Sequence, residues 1–318
     1  LLDNMDKNGV ANLITSIMME GTANKTPQEL QEEIEMLGAN MNMYTTRESI
    51  VIQVNTLARN YEATLALVEE VLTQPRWDLE EFGRIKTATI NRVKRSSANP
   101  NAVAGRVFNK LLYGQDHIFA YPTSGTVASI EAISMEDVKA FYAANFSPSV
   151  SKFHIVGQIE KAKAMAGLRA LEKNWAAKEV SIPAYPIANN RDKSSVYFVD
   201  IPGSKQSVIQ IGNISMARDD ADFYSAEVMN YALGGAFNGV VNTILREEKG
   251  YTYGARTGFG GSKIPGTFRA TSSVRTNTTG ESVSIFRDEI NKYKDGISQE
   301  DLDLTKNALI KSNARRFE

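Results

Sequence analysis

Three polar residues in the stretch GVANLITSIMMEGT, residues 9–22, raise the first chemical question. Asn12, Thr15 and Ser16 are spaced i, i+3, i+4, which stacks them on one face of a helix. Histidines at the outer two positions would grip a metal ion, and a glutamate at the middle one would deprotonate a water on it. A neutral amide and two hydroxyls are poor ligands for such an ion, and the Thr15 hydroxyl is no general base near neutral pH. Val10, Leu13, Ile14, Ile17 and Met18 form an apolar stripe along the same stretch, so it reads as a core helix. The rest of the chain offers little else for a metal. There is no cysteine, which excludes disulfides, cysteine-bound zinc and a thiol nucleophile. The two histidines, His117 in a loop and His154 on an expected strand, lie far apart in sequence and do not suggest a metal pair.

The elements around these residues follow from periodicity. TPQELQEEIEMLG opens on a capping box from Thr26 to Glu29, with Pro27 at the first helical position and Gly38 at the end. ESIVIQVNT alternates as a strand, and YEATLALVEEVL returns to helical spacing. Helices are expected over about 79–95, 102–112, after Ser134 and over 161–173, with SKFHIVG closing the sheet. The aperiodic, proline-bearing stretch 177–193 reads as a linker between a first domain, 1–176, and a second, 194–318. The second domain is expected to hold strands SSVYFVDI, QSVIQIGNI, TYGARTGF and GTFRATSSV. Its helices are expected at DFYSAEVMNYALGG, NGVVNTILREEKG, GESVSIFRDEINKY and from Ser298 onward. Both regions run helix, helix, strand, strand, helix, long helix, an internal duplication. The fold class is therefore α+β, with two homologous domains, each a mostly antiparallel sheet with helices mainly on one face. Elements present in one copy and absent from the other suggest a chain truncated at both ends.

The composition sets broad limits. With 42% hydrophobic and 23% charged residues the chain can bury substantial cores. A net charge of −1 gives no general attraction to nucleic acid or anionic membrane. Arg84, Lys86, Arg92, Lys94 and Arg95 read as a solvated helix face, and the methionines Met18, Met19, Met36, Met41 and Met43 as packing. No apolar run is long enough to span a bilayer. LGGAFNG lacks the spacing and the lysine of a phosphate loop, and reads as a turn. The compartment stays undecided, with a lean to the bacterial periplasm or cell envelope.

Three stretches taken together resemble the pitrilysin/insulinase family of zinc metallopeptidases, which includes the mitochondrial processing peptidases. They are GVANLITSIMMEGTANKTPQELQEEIEMLGANMNMYTTRES, YGQDHIFAYPTSGTVASIEAISMEDVKAFYAANFSPS and LGGAFNGVVNTILREEKGYTYGARTGF. The resemblance implies a metallopeptidase/LuxS-like type of fold. It places Asn12, Thr15 and Ser16 where active relatives carry His-x-x-Glu-His. The family's third ligand, a glutamate on the long helix, has no counterpart either, since no acidic residue occurs between Glu81 and Asp116. This half is therefore expected to hold no catalytic zinc.

The resemblance also matches Arg246 and Tyr253 to an Arg and a Tyr, seven residues apart, that the non-catalytic half of these proteases supplies. A guanidinium can hold a substrate carbonyl, and a phenol can donate to the oxyanion of a tetrahedral intermediate. The plainer readings are an Arg favoured by a helix C-terminus and a Tyr favoured by a strand. Tyr251 lies in the other register and should face the opposite side. What the resemblance implies is the zinc-less half of a peptidase. Its partner would be a homologous His-x-x-Glu-His half, fused or separate, that carries the Zn2+, and the two would close like a clamshell around an unfolded peptide. Relatives that serve only as assembly subunits offer a purely structural alternative.

Overall fold

The computed structural model describes residues 2–186, 188, 190 and 192–314. In chain order the elements are α1 (Val10–Ile17), α2 (Pro27–Met36), β1 (Asn40–Thr45), β2 (Ile50–Asn55), α3 (Tyr61–Thr73), α4 (Leu79–Ser96), α5 (Pro100–Tyr113), α6 (Val127–Ala132), α7 (Met135–Asn145), α8 (Lys161–Asn174), β3 (Gln206–Ile214), α9 (Phe223–Asn230), α10 (Val240–Asn242), β4 (Thr252–Phe259), β5 (Thr267–Arg275), α11 (Thr279–Lys292) and α12 (Gln299–Ala314). They form a mixed helix-and-sheet architecture with two small antiparallel sheets. The chain divides into two compact units, Leu1–Ser96 with Tyr121–Tyr185, and Ser97–Ala120 with Pro186–Glu318. The stretch Ser97–Ala120 groups with the second unit, although it lies within the residues 1–176 read as one domain.

In the first unit, β1 and β2 form a hairpin in which Met43 stands opposite Ile52. Met18, Met41 and Met43 are buried and Met19 packs against the same core, as expected of packing residues, but Met36, at the exposed end of α2, is 79% exposed and does not pack. Helix α1 buries Leu13, Ile14, Ile17 and Met18 in a core shared with Leu67 and Val71 of α3 and with Ile130 and Val138. Its N-terminus is held by Asp3, whose carboxylate accepts from the Gly9 and Ala11 amides at 2.7 and 2.9 Å. Helix α2 starts on the expected capping box, with Thr26 N donating to Glu29 at 2.8 Å. Ser134 and Asp137 close a second box at the start of α7.

The second unit is built on a sheet in the order β3-β5-β4, with Ile211 opposite Ala270 and Gly258 opposite Arg269. Leu233, Val241, Leu245, Ala255, Ala270, Val274 and Phe286 are buried together between this sheet and its helices.

Two expected strands are absent. Residues 151–157 and 194–201 form no ladder among the described residues. Val156 and Val196 are 100% and 96% exposed, so apolar alternation there has neither a partner strand nor a core to face. A strand is defined by its ladder, which the local sequence does not supply. The expected linker has no regular structure where it is described, and residues 187, 189 and 191 within it lie outside the described residues. No helix is long and apolar enough to cross a membrane, among the described residues.

Candidate functional site

Arg246 and Tyr253 are positioned by one folded feature of the second unit. Helix α9 runs into a π-helical turn, Tyr231–Gly235, and the chain reverses through GGAFNG into α10. That helix continues as a second π-helical turn, Thr243–Glu248, which contains Arg246. The reversal sits directly on β4. A Cβ on Gly234 would lie 2.6 Å from Thr257 Oγ1 and 2.7 Å from Val241 Cγ2, so only glycine permits this approach. Two buried asparagines fasten helix to strand. Asn230 accepts from Thr257 Oγ1 at 2.5 Å and donates to the Thr257 carbonyl at 3.1 Å. Asn242 accepts from the Ala255 amide at 2.9 Å and donates to the Phe237 carbonyl at 2.6 Å. Both buried amides are thus hydrogen-bonded through oxygen and nitrogen alike, as burial demands.

Gly250, at φ +62°, ends the Arg-bearing helix, and its amide donates to the Arg246 carbonyl at 3.2 Å. The following strand opens irregularly, because the β4–β5 register shifts between Thr252 and Ala255. The Thr252 hydroxyl bonds the Ser273 carbonyl at 2.7 Å and accepts from the Gly254 amide at 3.0 Å, which fixes the bulge. Tyr253 lies within it and is 91% exposed. Bulges of this kind re-aim a side chain out of the ladder. The Arg246 guanidinium stacks 4.6 Å from the centre of the Phe237 ring. Its Nη1 is buried and lies 3.3 Å from Glu247 Oε1, close enough for an ion pair but without hydrogen-bond geometry. No hydrogen bond joins Arg246 to Tyr253 among the described residues. Phe237 itself is 61% exposed, so an apolar ring, a cation and a phenol are presented on consecutive elements.

Tyr251 stands two residues before Tyr253, a spacing that puts both on one face of a regular strand and not on opposite faces as expected; it lies ahead of β4, outside the bulge, and is tied up elsewhere. Its hydroxyl donates to Glu281 at 2.7 Å, and Lys249 bonds the same carboxylate at 2.9 Å. The Tyr251 and Lys249 donors hold the Glu281 carboxyl below its usual range, and the Glu281 carboxylate pushes the Tyr251 phenol up.

Asn12, Thr15 and Ser16 do share a face of α1, but the face is closed on itself. Thr15 is 2% exposed. The Thr15 and Ser16 hydroxyls both donate to the Asn12 carbonyl, at 2.9 and 3.3 Å, and so bond back into their own helix. The Asn12 side chain accepts from Arg92 of α4 at 3.1 Å and donates to Thr45 of β1 at 3.4 Å. Amides, hydroxyls and a guanidinium do not make a zinc site. Among the described residues, no group of three or more His, Cys, Asp or Glu is placed to hold a metal ion. His117 is a packed core residue between Tyr113 and Phe119, and its Nδ1 accepts from the Phe119 amide at 3.0 Å. His154 lies in one of the two stretches that form no strand.

Sequence reasoning missed the π-helical turns, the two buried asparagines, Phe237 and the reach of Arg92 from its helix face. The available signal was Asn230 and Asn242 standing at otherwise apolar-patterned positions on either side of LGGAFNG.

Comparison with known proteins agrees with this architecture. An uncharacterized zinc protease of Streptomyces coelicolor is 23% identical over 89% of this chain and 62% of its own length. The chain spans less than two thirds of the curated relatives it matches. A crystal structure described as the peptidase M16 inactive domain from Pseudomonas fluorescens superimposes with a TM-score of 0.90 at 26% identity, covering 96% of this chain and 74% of that one. The periplasmic protease PqqL from Escherichia coli shares the fold, with a TM-score of 0.75 at 14% identity over 98% of this chain and 34% of its own. Residues 1–119 match the model of the insulinase family (peptidase family M16) and residues 132–309 that of the peptidase M16 inactive domain, and the chain therefore belongs to peptidase family M16.

Proposed function

We propose that this chain is the non-catalytic half of an M16 zinc endopeptidase. In this reading it binds unfolded peptide and supplies Arg246 and Tyr253 to the zinc site of a homologous half. That half carries His-x-x-Glu-His and its Zn2+, either in the same polypeptide or as a separate subunit. The carrying observation is the outward placement of Tyr253 on a fixed bulge, one turn beyond an Arg246 stacked on Phe237. The match to an inactive peptidase domain and the metal-unfit face of α1 support the same reading. The repeated element order supports a duplicated α+β domain. The setting of PqqL, described as a periplasmic protease, favours the periplasm or cell envelope.

Arg246 holds a substrate carbonyl and Tyr253 donates to the developing oxyanion. Removing one such donor costs on the order of 10–10³-fold in kcat. With the catalytic half present, Tyr253→Phe is expected to lower kcat for an unstructured peptide by that factor, and Arg246→Ala to raise KM. Tyr251→Phe, which removes only the bond to Glu281, is expected to leave cleavage unchanged. Full activity in both the Tyr253→Phe and the Arg246→Ala assemblies would reduce this chain to an assembly role.

A further inference from the structure

We infer that Arg92 occupies the place of a metal ion on the α1–α4 face, as a fixed positive charge that ties down Asn12 and closes this face to divalent cations. The inference does not depend on the roles given to Arg246 and Tyr253.

The geometry is local to the first unit. Asn12 and Ser16 are one turn apart on α1, the spacing that would let two imidazoles grip one ion. Arg92 reaches across from α4 and donates to Asn12 Oδ1 at 3.1 Å. Asn12 Nδ2 turns the other way, to Thr45 of β1. One amide side chain therefore links helix α1 to helix α4 and to the hairpin, with the guanidinium on the α4 side. A guanidinium stays protonated at any ordinary pH and has no lone pair to offer, so it cannot become a ligand. No carboxylate lies on α4 beyond Glu81 to offset it, and Lys94 and Arg95 follow directly. Glu20, just past α1, and Glu81, in the first turn of α4, are both bound to Arg84, at 2.5 and 2.6 Å, and Asp3 accepts from the amides at the start of α1.

The loss of metal binding thus has two separable parts. One is the missing ligands; the other is a reversal of charge at the site. The second part predicts that restoring ligands alone does not restore affinity. A guanidinium a few ångströms from a doubly charged ion in a water-like dielectric weakens binding roughly 10-fold or more.

The test uses the full chain carrying Asn12→His and Ser16→His, which rebuilds the i, i+4 pair and leaves the buried Thr15 alone. Zn2+ affinity is measured by equilibrium dialysis with Arg92 intact and with Arg92→Gln, and binding to the unaltered chain is subtracted to remove His117 and His154. Arg92→Gln is expected to tighten binding by roughly 10-fold or more at low salt, with the gap narrowing at high salt because charge is its source. Equal affinities with Arg92 and with Arg92→Gln would overturn the inference. Should the double substitution not fold, as judged by circular dichroism, Asn12→His alone supplies a second readout. Its imidazole is expected to titrate, by NMR, at lower pH beside Arg92 than beside Arg92→Gln, and coincident titrations would refute the charge effect.

Discussion

Gly234→Ala tests the packing that sets the position of Arg246. The added Cβ would stand 2.6 Å from Thr257 Oγ1, 2.7 Å from Val241 Cγ2 and 2.8 Å from Thr257 N. Those atoms must yield by roughly 0.6–0.8 Å to reach the ordinary contact of 3.4 Å. None yields cheaply. Thr257 is bonded to Asn230 through both its hydroxyl and its carbonyl, and Val241 is fully buried. Exchanging glycine for alanine in helical backbone gains up to about 1 kcal/mol, whereas overpacking of this kind costs about 1–3 kcal/mol. The clash wins, and because two of the three contacts involve β4 it separates strand from helix. For a unit of roughly 150 residues this corresponds to a loss of about 2–10 °C in Tm. Differential scanning calorimetry of the chain measures it, with Gly258→Ala as the control. Gly258 lies on the same strand with nothing within 4 Å of a built Cβ, so its substitution should leave Tm unchanged or slightly raised. A Gly234→Ala protein as stable as the parent would refute the reasoning. If it were destabilised yet gave full peptide cleavage in the assembled protease, the link from this packing to Arg246 would fail instead.

The remaining predictions concern stability. Phe286→Ala removes a fully buried ring from the core of the second unit and should cost about 3–5 kcal/mol in urea unfolding; a loss under 1 kcal/mol would mean that the core collapses freely around the gap. The Asp137 carboxyl is held below its ordinary value of 3.8 by the Lys7 ammonium and then by the Ser134 amide. A depressed folded pKa means stability that is present above pH 3.8 and lost as pH falls through the folded value. Asp137→Asn should therefore flatten the acid limb of the stability profile, and an unchanged limb would assign it to other carboxylates.

Much of the fold is legible in the sequence wherever the deciding interaction is local. The capping box at Thr26 and Glu29 and the helices α3, α4 and α8 follow from residues a few positions apart, and the structure has them where periodicity puts them. The unfitness of Asn12, Thr15 and Ser16 as a zinc-ligand set is readable at the same level, because ligand type and i, i+4 spacing are properties of the chain alone. What the sequence left open depended on distant partners. The alternating stretches 151–157 and 194–201 carry the pattern of strands but not a ladder among the described residues, and pattern cannot tell a paired strand from an unpaired one. Arg92 read as one member of a solvated basic face, and only the packing of α4 beside α1 brings its guanidinium to Asn12, 80 residues earlier in the chain. Likewise, the seven-residue interval between Arg246 and Tyr253 is visible in the sequence. The π-helical turn, the clamp of Asn230 and Asn242 on β4, and the bulge that turns Tyr253 outward are decided by which atoms meet across the fold, and they determine what those two side chains can touch.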